Sequence, residues 1–326
     1  MEQLTESFGQ LKVEKKKKTN ASNQPQSPEE IGYFTKLSDG TIVKDSRDGL
    51  RELSLKGVVH KDLTEGLRNF VPQTKDEIYS LDDVLSVVDK PDSLSVLSQR
   101  RSLARIMKLP FEPHTSFHVV YYKHYIFIVC NDVSGVDIDR RLQYSGFKFE
   151  ELATTARSAS DPQARFYSVL RQRLPGATVY YTAEVDAIDI HDDYVELKTH
   201  AKVSSHLSLQ RKLLSTWCQV YLGATDKIVM GYRSKTFRVA NVQRMSERDI
   251  YQSFQKMPLM DKSGAKITPQ TLTKFYAEAM AYIVKAHKGG AKPKQFEFKY
   301  HPSEPRAKQF SLEPMALTVN ISMYKA

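Results

Sequence analysis

With 326 residues and 40% apolar content, the chain can bury a substantial core, as one large domain or two small ones, and one domain is the simpler reading. Its two cysteines, Cys130 and Cys218, form no disulfide framework and point to a reducing, intracellular compartment; no apolar run approaches the roughly 18 residues that cross a bilayer, and the start MEQLTESFGQ lacks a hydrophobic signal core. A net charge of +10 calls for an anionic partner, nucleic acid being the commonest, although charge by itself does not separate RNA from acidic protein or lipid.

The first thirty residues hold VEKKKKTNASNQPQSPEE, too polar to offset the entropy of ordering, and residues 1–28 are expected to form a flexible basic tail ahead of a folded domain at 29–326. Lys15 to Lys18 read either as a solvated run or as a nuclear-import or phosphate-attracting arm; the cytoplasm is favoured, with the nucleus as the alternative. IGYFTKL near Ile31 is a short strand, and residues 40–75 are mixed and turn-rich. Helical patterns follow at 81–88 and 93–109, the second capped by Asp92 or Ser93 and stopped by Pro110. Residues 117–122 and 125–130 form a hairpin about Lys123 and His124, and a helix opens near Gly146. Residues 166–174 are a strand with Arg171 and Arg173 on one face, turned by Pro175 and Gly176 into the next.

Residues 178–190 and 194–200 then alternate as two antiparallel strands joined by His191, Asp192 and Asp193, and they carry charge inside apolar strand sequence. Side chains two apart share a face, so Glu184 and Asp186 point together, as do Glu196 and Lys198. Pairing Ile190 with Tyr194 sets Asp186 opposite Lys198 and Ile188 opposite Glu196, gathering all four on one face; a slip of one residue would part them. Three carboxylates beside a lysine suit one or two hard divalent cations; the plainer reading is an ion-pair ladder on a solvated face. Further on, a helix at 208–222 turns Leu213, Leu214, Trp217 and Tyr221 to the core and Gln219 elsewhere, and strands follow at 227–232 and 236–242. Thr268 caps a helix with Pro269 in its first turn that runs to about His287, and residues 295–300 and 316–324 read as closing strands.

Several segments, read in order, resemble the DXO-type family of RNA decapping nucleases: an arginine motif at Gln99-Arg100-Arg101, GFKFE ending in Glu150, SVLRQRL at 168–174, AEVD with Glu184 and Asp186, VELK with Glu196 and Lys198, and Gln219 after Trp217. FSLEP at 310–314 resembles a family strand, so the likeness covers about residues 31–314. Aligning Arg105, Ile106, Met107 and Phe111 makes Arg100 the motif arginine, and a shift by one selects Arg101. The resemblance implies an α+β domain of two packed mixed or antiparallel sheets with helices around them. It implies metal-dependent hydrolysis at RNA 5′ ends, removing incomplete or non-standard caps, nicotinamide-dinucleotide caps among them. In that frame Glu150, Glu184, Asp186, Glu196 and the Leu197 carbonyl bind Mg²⁺ or Mn²⁺, Lys198 and Gln219 serve catalysis, and Arg100 or Arg101 grips an RNA phosphate. Arg171 and Arg173 line the RNA path or balance the acids. Some relatives degrade RNA onward 5′ to 3′ or release pyrophosphate, and one branch is a nuclear partner of a 5′-to-3′ exoribonuclease, so a binding protein is the alternative. Phosphate-loop, zinc and serine-hydrolase motifs are absent from the sequence.

Overall fold

The computed structural model describes residues 25–72, 81–89, 91, 93–131, 139–157, 161–201, 205–256, 259–261 and 264–321. The described strands are β1 (Glu29–Lys36), β2 (Ile42–Lys44), β3 (Arg51–Leu53), β4 (Ser95–Gln99), β5 (Ser116–Tyr122), β6 (Tyr125–Asn131), β7 (Thr154–Ala156), β8 (Arg165–Leu174), β9 (Ala177–Glu184), β10 (Ala187–Ile188), β11 (Tyr194–Ala201), β12 (Lys227–Arg233), β13 (Val239–Ser246), β14 (Leu259–Met260), β15 (Lys266–Ile267), β16 (Lys294–Tyr300) and β17 (Phe310–Met315). The α-helices are α1 (Asp82–Val87), α2 (Arg100–Lys108), α3 (Arg140–Leu152), α4 (His206–Leu222), α5 (Glu247–Lys256) and α6 (Pro269–Lys285).

Two mixed sheets carry the fold. The larger has nine strands in the order β17-β16-β5-β6-β4-β9-β8-β1-β2, and the smaller has six in the order β13-β12-β11-β10-β3-β7. One apolar cluster joins Val96, Val119 and Tyr181 of the large sheet, Leu103, Trp217 and Tyr276 of α2, α4 and α6, and Ile228 and Met230 of the small sheet, so both sheets share a core. The opposite face of the small sheet packs Leu197 and Val229 against Phe149 of α3. The expected α+β architecture is what forms.

Several local expectations are corrected. Residues 95–99 are a central strand, not the first turns of a helix. Ser95, Val96, Leu97 and Ser98 are all fully buried, and the Ser95 and Ser98 hydroxyls donate to the Ser93 and Ile128 carbonyls. A strand covered on both faces shows no alternation to distinguish it from a buried helix. The helix therefore starts at Arg100 with Gln99 in the N-cap position; Ser93 caps nothing, and Asp92 lies outside the described residues. Helix α3 opens at Arg140, six residues before Gly146, and the side chain of its N-cap Asp139 accepts from Arg141 N. Strand β13 begins at Val239 rather than Thr236, and residues 316–321 are not a strand, while 322–326 lie outside the described residues. Residues 25–28, assigned to the tail from sequence, pack on β8: Gln26 N donates to the Arg173 carbonyl at 3.1 Å. Lys15 to Lys18 lie outside the described residues.

The acid-bearing hairpin also differs. Ala187 pairs with Val195 and Ile188 with Tyr194, so the connection is five residues, with Asp192 in the left-handed region that Asp tolerates. Asp186 therefore lies level with Glu196 rather than Lys198. The shift of two residues preserves the face each side chain takes, so Glu196 and Lys198 still turn inward.

Candidate active site

Asp186 stands at the joint between the sheets. The chain leaves β9 at Glu184, the Val185 N–H donates to the Phe166 carbonyl at 3.0 Å, and the chain enters the small sheet at Ala187. Pairing of β10 with β11 ends at Ala187 and Val195, so Leu197 N has no strand partner there and donates to Asp186 Oδ2 at 2.7 Å. An extended residue points its N–H and C=O to the same side, so the Leu197 carbonyl also opens toward Asp186.

Glu196 and Lys198 share the face of Ile228 and Met230, turned to the helices. Arg100 reaches them because β4 runs parallel to β9 with Gln99 beside Thr182, which starts α2 next to the end of β9. Its Nη1 donates to Glu196 Oε2 at 2.7 Å, and Glu196 is only 2% exposed. Lys198 Nζ lies 2.5 Å from Glu196 Oε1, an ion contact without hydrogen-bond direction, and this buried oxygen accepts no directed bond. Glu184 ion-pairs with Arg165 Nη1. Helix α3 is seated by Phe149, whose ring occupies the space a side chain at Gly231 would need, a Cβ there lying 2.3 Å from it; Glu150 is the next residue. A Cβ on Gly223 would lie 3.0 Å from the Gln219 carbonyl and 3.1 Å from Arg100 Nη1, so the last turn of α4 abuts the same guanidinium.

The acids outnumber what these cations neutralise. Burial, with Glu196 alongside, pushes Asp186 up to about 7 despite Lys198. Burial, then Asp186 and Glu184, drives Glu150 well above the usual carboxylate range. Burial works on Glu196 in the same direction, but Arg100 and Lys198 outweigh it and hold the group at about 2. Burial likewise opposes the charges on Lys198 and Arg100, and Glu196 with Asp186 overcomes it in both. Like charges that raise each other's pKa create a demand for positive charge.

Among the described residues, no three acidic, histidine or cysteine side chains converge on one point, because Glu196, Glu184 and Asp186 are turned to arginines, a lysine and an amide. The donor set nevertheless fits a divalent cation: hard carboxylate oxygens, an undirected buried Glu196 Oε1, and two acids held up by burial and by their neighbours. Glu150, Glu184, Asp186, Glu196 and the Leu197 carbonyl are the groups that would hold it.

Of the two candidate arginines, Arg100 enters the site, while Arg101 is exposed; both border a groove of about 560 Å³ that also has Lys36, Arg165, Tyr167 and Glu184 in its walls. A larger cavity of about 940 Å³, lined by Arg105, His114 and Arg211, holds none of the acids. Arg171 and Arg173 are not brought to the cluster. Arg171 pairs with Glu29, six residues from Arg165 and so roughly 20 Å along β8, and Arg173 is exposed. Trp217 is core as expected, 3% exposed with Nε1 donating to Glu247 Oε1 at 2.9 Å. Sequence reasoning missed Arg165; its only signal was a cation at the start of the strand preceding the acidic one.

Known proteins give the constellation its context. A family model described as RAI1 like PD-(D/E)XK nuclease matches residues 26–320. The chain belongs to this family. A decapping nuclease RAI1 of Scheffersomyces stipitis is 22% identical, with 90% of each chain covered. The crystal structure of Scheffersomyces stipitis Rai1 in complex with (3′-NADP)⁺ and calcium ion superposes with a TM-score of 0.74 at 19% identity, covering 90% of each chain. That of Candida albicans Rai1 in complex with pU5-Mn²⁺ gives 0.73 at 20% identity, covering 92% of this chain and 93% of the other. The fold of this RAI1-like chain is therefore the PD-(D/E)XK nuclease fold.

Proposed function

We propose that this chain is a divalent-metal-dependent nuclease acting at RNA 5′ ends, removing incomplete or non-standard caps, NAD caps included, by phosphodiester hydrolysis. The observation that carries the reading is the joint itself: the Asp186 carboxylate held by Leu197 N, and Glu196 and Lys198, which flank Leu197, in ion contact with each other, where one strand sequence passes between two sheets. The dinucleotide and pU5 ligands of the Scheffersomyces and Candida relatives support the substrate class, and their calcium and manganese support the metal; Mg²⁺ is the physiological ion proposed here. When bound, such an ion polarises a phosphate and makes its coordinated water acidic.

The chain's own residues do the rest. Glu150, Glu184, Asp186 and Glu196 present oxygens, and Leu197 N fixes the Asp186 carboxylate in orientation. Lys198 has donors and no lone pair, so it orients the attacking water or stabilises charge growing on the phosphate without competing for the metal. Arg100 uses one of its N–H donors on Glu196 and has others for a substrate phosphate. Gln219 lies on the turn beside Arg100 and is assigned to the same phosphate or water. A pure binding partner of an exoribonuclease would have no use for buried like charges that destabilise the empty fold. The buried free cysteines support an intracellular setting, the cytoplasm being favoured and the nucleus open through Lys15 to Lys18.

The test incubates the purified chain and Mn²⁺ or Mg²⁺ with NAD-capped, unmethylated-cap, 5′-triphosphate and 5′-monophosphate RNA, and with single-stranded DNA. Metal-dependent release of the 5′ moiety from capped RNA is expected. Inertness on every RNA, or preference for DNA, would refute the reading.

A further inference from the structure

Two arginines grip the acidic cluster, and they do so from very different environments. Arg100 and Glu196 are 14% and 2% exposed, whereas Arg165 and Glu184 are 38% and 30% exposed. A buried pair cannot part without leaving an uncompensated charge in the interior, but a half-exposed pair parts at little cost because water replaces each partner. Arg100 is thus a fixed element of the site and Arg165 a releasable one.

The surroundings of Arg165 are arranged for release. Its backbone is pinned: it pairs with Lys36 across β1 and β8, and a Cβ at Gly49 would lie 2.6 Å from its carbonyl carbon. Its long side chain runs over the Phe147 ring, with the guanidinium carbon 5.4 Å from the centroid, and ends in the groove that Arg101 rims. The guanidinium is paired with Glu184, one of the acids assigned to the metal, and Glu184 above all holds its charge on.

We propose that Arg165 is the built-in stand-in for the divalent ion at Glu184: its guanidinium occupies that carboxylate while the site lacks metal, yields it when the ion arrives, and turns into the adjoining groove to meet a phosphate oxygen of the substrate. The inference rests on the metal-nuclease reading above and adds a competitor to it. A cation that must leave before the metal can bind lowers metal affinity, and removing it raises that affinity.

The experiment is calorimetric titration of Mn²⁺ into the full-length wild type, R165Q, R165K, E184Q and the R165Q/E184Q double variant without RNA, followed by binding of a 5′-phosphorylated oligonucleotide in the presence of Ca²⁺. R165Q should bind Mn²⁺ about twofold to fivefold more tightly than wild type, the range a half-exposed ion pair sets. R165K, keeping the charge, should stay near wild type. The gain should vanish in the E184Q background, and R165Q should bind the oligonucleotide more weakly. Unchanged or weaker Mn²⁺ binding by R165Q overturns the stand-in role alone, provided wild type binds the ion; absence of Mn²⁺ binding to wild type overturns the metal reading and this inference with it. Should R165Q fail to fold, R165K against E184Q decides: E184Q must lose Mn²⁺ affinity while R165K does not.

Discussion

Lys198 and Asp186 sit within one constellation yet predict opposite kinds of behaviour. Lys198→Gln leaves Arg100 on Glu196 and every oxygen ligand in place, so Mn²⁺ should still raise the melting temperature while turnover drops about 10²-fold to 10³-fold. Near-full turnover by K198Q on every capped substrate would return the acidic face to the status of a surface ladder. Asp186 instead governs the stability of the metal-free protein. Its folded pKa is about 7 against 3.8 for the ordinary group, so between those values the unfolded chain releases the proton and the folded chain keeps it. Stability from this group is therefore full below about pH 4, falls as pH rises, and levels off above about 7; Glu196, held at about 2, works in reverse and loses its contribution only as pH falls below the ordinary 4.5. Asp186→Asn cannot ionise and its carbonyl oxygen can still accept from Leu197 N. Metal-free D186N should be more stable than wild type by roughly 2 to 4 kcal/mol at pH 8, with the gain fading toward pH 4. Urea denaturation at pH 4, 6 and 8 in chelator measures it, and a difference independent of pH would refute the charge-crowding account.

Elements bring these residues together, and here a missing side chain matters as much as a present one. Gly231 on β12 leaves room for the Phe149 ring, and that seat sets the height of α3 and of Glu150 above the joint. Gly231→Ala should cost about 1 to 3 kcal/mol by overpacking. Because the strain is relieved by lifting α3, it should also weaken Mn²⁺ binding without touching any ligand; a destabilised G231A with unaltered Mn²⁺ affinity would show that α3 does not position Glu150. None of this was visible in the sequence, where Gly231 is one glycine in a strand. The charges of the hairpin were legible because Glu184, Asp186, Glu196 and Lys198 interrupt apolar strand sequence, and their shared face survived an error of two residues in register since two is the period of a strand. Strand β4 was not legible, since Ser95 and Ser98 satisfy their hydroxyls on backbone carbonyls and lie buried among apolar neighbours, leaving no period to read. Arg165 went unnoticed for a related reason: its partner, Glu184, is 19 residues away and meets it only through the pairing of β8 with β9.

At the scale of the whole molecule, the start of the chain tests where the fold begins. The shared core makes one body of both sheets, and residues 25–28 attach to it at the far end of β8 from the acids. The Gln26 carbonyl accepts from Gln172 Nε2 at 2.9 Å, and Gln172, fully buried, in turn accepts from Tyr276 Oη of α6 at 3.2 Å. Deleting residues 1–28 strips that acceptor and leaves the buried amide with Tyr221 Oη at 3.4 Å, which should cost about 1 to 3 kcal/mol and lower the melting temperature by several degrees. Deleting residues 1–24 spares Gln26; on the expectation that this polar segment adds nothing to the core, the melting temperature should hold. Its effect should be electrostatic, since it removes five lysines and three glutamates and takes the net charge from +10 to +8. The 1–24 deletion should therefore raise KM for capped RNA at low ionic strength, converge with the full chain in high salt, and leave kcat unchanged throughout, because added salt replaces the counterions that the lysines would release. Thermal melts and steady-state rates of the three proteins at two salt concentrations separate the effects. Equal melting temperatures for the two deletions would mean that Gln26 is no part of the fold's edge, and a salt-independent KM would mean that the lysine run never meets the RNA.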